Sequence, residues 1–120
     1  MRYIYKQPLR KHEVFDLPEG KPLSLDDMQK LVGGYIESII VPQLEGYGGG
    51  MLAIYGNEEA KLRGMTPNFL LTTSEGTLYD VVCGPVLILN YSEDGEKMID
   101  LTDQQILAVE AYLQNRSVPM

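Results

Sequence analysis

The sequence has no tryptophan, one histidine, one cysteine and two phenylalanines in 120 residues. A single cysteine, Cys83, excludes an internal disulfide framework, and a reducing cytoplasm is the expected compartment. Zinc sites need three or four Cys, His or acidic ligands at tight spacing. With His12 and Cys83 as single copies, no metal is expected and no cofactor is implied. Cations are also scarce: 10 Lys and Arg stand against 17 Asp and Glu, a net charge of −7. Nucleic-acid affinity comes mostly from neutralising phosphates, so direct nucleic-acid binding is not expected. No uncharged apolar run is long enough for a bilayer span. The opening "MRYIYKQPLRKHE" lacks an apolar core followed by a small-residue cleavage site, so no secretory signal is expected. Gly-x-Ser-x-Gly, Walker and dinucleotide-binding patterns are missing too. The sequence identifies no reaction.

What is present suits one domain over residues 1–120, with a 44% hydrophobic share. Charge is unevenly placed. Arg2, Lys6, Arg10 and Lys11 open the chain without an acid, which reads as a strand with solvated cations on its outer face. Glu93, Asp94, Glu96, Asp100 and Asp103 then form an acidic stretch with Lys97 as its only cation. Such a face suits docking on a basic partner surface. Tyrosine is over-used, with eight copies. Its apolar ring and polar tip suit sheet edges, interfaces and base stacking alike. Tyr47, in a glycine-rich loop, reads as the most exposed.

Periodicity predicts strands at "RYIYK" and "HEVFDL", with "PEGKP" as a turn. A helix follows over 24–33. Ser24 is its N-cap, Asp27 completes a capping box, Leu23 and Met28 form a hydrophobic staple, and Gly33 or Gly34 ends it. "YIESIIVPQ" and "MLAIY" read as strands joined by "LEGYGGG". That loop lacks the Lys-Ser/Thr pair and following helix of a phosphate cradle. A short helix is predicted over 58–63, capped by Asn57, with Glu58 and Glu59 in its first turn and Lys61 and Arg63 in its last. "TLYDVV" and the nearly all-apolar "VLILNY" read as strands broken at Gly84-Pro85, the second of them central. "SEDGE" and "KMID" make a hairpin return. The last helix spans 102–115, with Thr102 and Gln105 as a second capping box and Ile106, Val109 and Leu113 on its buried face. Strands and helices do not alternate regularly. The expected fold is therefore α+β: a mainly antiparallel or mixed sheet with two main helices and one short one.

Candidate chemistry is thin. A Cys83–His12 pair oriented by Asp80 would be the sharpest enzyme arrangement. Against it, "VVCGPV" reads as buried sheet and His12 as exposed, so no catalytic residue is assigned. The paired acids Asp26/Asp27, Glu58/Glu59 and Glu93/Asp94 fall at helix starts or turns, where acids are favoured anyway. In "NEEAKLRGMTPN" each charge has a capping job, and Asn68 is left either to close a turn or to face a groove.

"SLDDMQKLVGGYIESI", "NEEAKLRGMTPN", "LYDVVCGPVLIL" and "IDLTDQQI" together resemble the domain of unknown function 3846 family, over roughly residues 23–108. The second segment is the most specific. That family is similar to small proteins carried by phages, plasmids and other mobile elements of bacteria, and no activity is established for it. The resemblance implies that any shared site lies at Asn57, Glu58, Glu59, Lys61, Asn68, Tyr79 and Asp80. It requires neither Cys83 nor His12. The N-terminal segment and "LEGYGGG" depart from the pattern and read as particular to this member.

Three functions stay in view. The first is a non-enzymatic acidic binding protein of mobile-element origin, occupying a basic surface on a bacterial host protein. The second is a nucleotide binder whose pocket joins the 46–50 loop, Tyr47 and the 57–68 segment. The third is an enzyme dependent on Cys83.

Overall fold

The computed structural model describes residues 1–18 and 21–119. The "PEGKP" turn contains Glu19 and Gly20, outside the described residues. In chain order the elements are β1 (Arg2–Lys6), β2 (Glu13–Asp16), α1 (Leu25–Val32), β3 (Ile36–Ser38) and β4 (Met51–Asn57), with a 3-10 turn at Pro42–Leu44 before β4. They continue with β5 (Pro67–Thr72), β6 (Leu78–Cys83), β7 (Val86–Tyr91), β8 (Met98–Ile99) and α2 (Asp103–Gln114). The fold is α+β, as the element order predicts.

All strand pairings are antiparallel. The main sheet runs β2-β1-β7-β4-β3, and β8 pairs with the far end of β7. β5 and β6 form a separate hairpin. β7 is central because both its faces are covered. Val86 and Ile88 enter one apolar cluster with Phe69, Val82, Val109 and Leu113. Leu87 and Leu89 enter another with Tyr3, Leu23, Met28 and Val32. α1 thus covers one face of the sheet, while α2 and the β5–β6 hairpin cover the other. A strand buried on both sides reads as a continuous apolar run, as "VLILNY" does.

Both capping boxes form. Ser24 Oγ accepts from Asp27 N at 3.0 Å while Asp27 Oδ2 accepts from Ser24 N at 3.1 Å. Thr102 and Gln105 do the same at 3.1 and 2.9 Å. Gly33 ends α1 at φ 82°, a left-handed conformation that L side chains resist. Gly50, at φ 137°, is dictated by space: a Cβ there would lie 2.3 Å from Asn90 Oδ1.

Four expectations need correction. Residues 58–64 form successive turns, not a short helix. Among their backbone bonds only Arg63 N to Glu59 O has α-helical spacing, and Met65 N reaches back five residues to Ala60 O. Six residues gain too few bonds to offset helix nucleation. The strand expected over 35–43 keeps only Ile36–Ser38, because the Pro42–Leu44 turn takes over. Ile106 is only partly buried; Gln105 and Tyr112 join Val109 and Leu113 on the inner face of α2. The cations of β1 are not all solvated: Lys6 is 2% exposed, sharing the face of Ile4, because α2 and the hairpin cover that side.

After α2 the chain runs along the outer edge of β5. Leu70 N donates to Arg116 O at 2.8 Å and Val118 N to Asn68 O at 2.9 Å.

Candidate functional site

The segments that carry the family resemblance fold against one another. Asn57 is buried at the end of β4. Its Oδ1 accepts from Glu59 N at 2.7 Å, the cap expected of it, and its Nδ2 donates to Val32 O at 3.0 Å, closing the end of α1. Arg63 Nη1 donates to Gly33 O at 2.8 Å. Glu58 N donates to Tyr35 O at 2.8 Å. Asn68 is completely buried on β5 and faces no groove. Its Nδ2 donates to Lys6 O and to Gly84 O, both at 2.8 Å, and its Oδ1 accepts from Lys6 Nζ at 2.9 Å. It bolts the hairpin to the main sheet.

The remaining motif residues partly converge. Glu58, Lys61 and Asp80 line a groove of about 290 Å³ between the 58–62 turn, β3 and β6, and Cys83 lies in its wall. Lys61 and Asp80 form an ion pair. Their mutual hydrogen bond raises the Lys61 ammonium and, with the Val81 amide, holds the Asp80 carboxyl below its ordinary range. Glu59 and Tyr79 are exposed but do not line this groove.

The Cys83–His12–Asp80 arrangement is not assembled. Asp80 shares the groove with Cys83, but its carboxylate is engaged by Lys61. His12 lines a different cavity, where its Nε2 lies 2.8 Å from Glu110 Oε2. His12 is also less exposed than expected, with 13% of its side chain accessible. No cluster of three or more metal-capable side chains occurs among the described residues.

Nor does the expected nucleotide pocket form as one cavity. Tyr47 and glycines 46, 48 and 50 line a cavity of about 530 Å³ with Glu45 and Glu93. That cavity sits at the start of β4 and the 58–62 groove at its end. Seven extended residues separate them by about 20 Å. Tyr47 is half-buried; Tyr35 and Tyr79 are the exposed tyrosines, at 67% and 54%.

The acidic stretch divides in two. Asp100 and Asp103 are paired with Arg2, Asp103 Oδ1 lying 2.7 Å from Arg2 Nη1. The Arg2 amide and guanidinium hold the Asp100 carboxyl below its ordinary range. Glu93, Asp94 and Glu96 stay exposed on the turn after β7 and take part in no ion pair among the described residues. Asp94 shapes that turn by accepting from Ser92 Oγ and from Glu96 N.

One site escaped sequence reasoning. Lys6, Arg10, Lys11 and His12 line a cavity of about 500 Å³ with Glu110 and the segment after α2. The available signal was strand alternation, which puts Lys6 on the same face as the apolar Ile4. Burial lowers the Lys6 ammonium below its ordinary value.

Fold and side-chain geometry together define a small α+β domain whose motif asparagines tie its layers and whose cationic cavity and acidic turn lie at opposite ends of β7. The chain belongs to the family described as Domain of unknown function (DUF3846), whose model matches residues 1–114. The match begins at residue 1, so the N-terminal segment is part of the family's domain and not an addition of this member. No curated protein and no solved structure matches the chain.

Proposed function

We propose that this is a non-enzymatic binding protein that docks on a basic surface of a partner protein through the acidic end of its sheet. One observation carries the reading: Glu93, Asp94 and Glu96 stand exposed and unpaired among the described residues, on a turn held by its own hydrogen bonds. Glu45 and Glu93 extend the same charge into the glycine-loop cavity, and the exposed Met51 lies beside them. Acids with no internal cation keep their field for a partner, steering its approach and fixing its orientation. The mobile-element setting implied by the resemblance points to a bacterial host protein that handles nucleic acid, since such proteins present basic surfaces.

The test is capture from bacterial lysate by the immobilised protein, with the captured protein identified. Capture at about 0.15 M salt is expected to vanish near 1 M, where the screening length falls to about 3 Å. It is also expected to vanish in a Glu45→Lys, Glu93→Lys, Glu96→Lys variant. Capture that survives both changes overturns the reading. Nucleotide binding has less support, because Glu45 and Glu93 repel phosphates from the cavity that holds Tyr47. Cysteine chemistry has less support as well, since the one histidine is engaged elsewhere.

A further inference from the structure

We propose that the cavity floored by Lys6 binds a small organic anion, a carboxylate or phosphate monoester carrying a short apolar body. The inference does not depend on the acidic end of the sheet.

Lys6 is 2% exposed and forms no ion pair among the described residues. Its ammonium donates only to neutral oxygens, Gln7 O at 3.0 Å and Asn68 Oδ1 at 2.9 Å. An ammonium has three N–H donors, so one remains. A buried cation without a counter-charge is costly, and an anion in the adjoining cavity supplies what the fold omits. Arg10 and Lys11 line the same cavity and are exposed, so the cationic side of a net-negative protein is concentrated there. The only acid in the lining, Glu110, is already held by His12 at 2.8 Å.

Leu9, Leu113, Val118 and Pro119 give the cavity an apolar wall, with the neutral Gln114 and Ser117 beside them. A volume of about 500 Å³ falls within the range of small-molecule sites. Leu9 adds an independent sign. It sits at φ 64°, the only residue other than glycine with positive φ among those described. Pro8 precedes it and Arg10 N returns to Gln7 O at 3.3 Å, a turn whose third position normally takes glycine or asparagine. Leucine is held there against backbone preference, at the wall of this cavity. Such strain collects at ligand sites.

The experiment is calorimetric titration of the full chain with hexanoate, hexyl phosphate, hexanol and inorganic phosphate. Saturable binding of hexanoate or hexyl phosphate is expected, and the tighter of the two identifies the head group. Hexanol and inorganic phosphate are expected to bind at least tenfold more weakly, each lacking one half of the recognised structure. Arg10→Ala with Lys11→Ala changes two exposed side chains and is expected to weaken binding at least tenfold. Lys6→Met is expected to abolish it. Amide shifts on titration are expected at 9–12 and 113–118. The proposal is overturned if neither anion saturates, if hexanol matches hexanoate, or if the Arg10/Lys11 variant binds as the parent does. That last arm decides the matter even if Lys6→Met fails to fold.

Discussion

Asn68 accounts for the segment that sequence reasoning left least explained. Its side chain makes three hydrogen bonds, two of them to residue 6, at a separation of 62 positions. No local pattern announces such a contact, so the sequence could show a polar residue in a strand but not its partner. Asn57 was half legible: its cap on Glu59 is two residues away, while its bond to Val32 O spans 25. Lys6 was misread for the same reason, since its burial depends on α2 and the hairpin folding over it. Truncating Asn68 removes one of the two acceptors of the Lys6 ammonium and takes the side-chain donor from two carbonyls, Lys6 O and Gly84 O, in the interior. Asn68→Ala is therefore expected to cost about 3 kcal/mol or more, measured by urea denaturation. Asn68→Asp is expected not to restore the loss, because a carboxylate cannot donate to Lys6 O and Gly84 O.

Elements defined by contacts within a few residues were the most legible. Both capping boxes, a glycine stop at 33 or 34 and the apolar β7 could be read directly, because a cap spans three residues and a buried strand declares itself by composition. The 58–64 turns were not, since the same acids and bases suit a helix or a return between β4 and β5. The α2 cap also reaches the core: Gln105 accepts from Thr102 N and donates to Asn90 Oδ1 at 3.0 Å. Asn90 in turn donates to Gly49 O and Asp100 O, both at 2.9 Å. Thr102→Ala is expected to cost about 1–2 kcal/mol. Ser24→Ala, whose box is solvent-exposed, is expected to cost less, and chemical denaturation of the two variants compares them.

At the scale of the molecule, charge is sorted along β7. Its start pairs with Lys6 beside the cationic cavity, and its end leads into the Glu93–Glu96 turn. The sequence showed both charge groups but not that they lie at opposite ends of one strand. Titration also has a signature at this scale. Burial and then the neighbouring Tyr55 hydroxyl push Tyr91 from 10.0 up to about 12. A raised acid favours folding below its unfolded value, so this contribution is complete below pH 10 and is lost as pH climbs to about 12. Lys6 acts in the other direction. Its lowered ammonium penalises the fold at neutral pH, and the penalty has gone above 10.5. Tyr3, Tyr112 and Lys61 are raised as well, so it is the comparison of variant with parent between pH 10.5 and 12 that isolates Tyr91, and Tyr91→Phe is expected to lose less stability there than the parent.

The strand-like run after α2 has one more outcome. Because 116–118 occupy the outer backbone groups of β5, a protease that trimmed the chain after Asn115 would bare those amides and carbonyls. The shortened molecule would offer an open template to its neighbours, and a strand edge now closed by its own chain would become a seed for stacking.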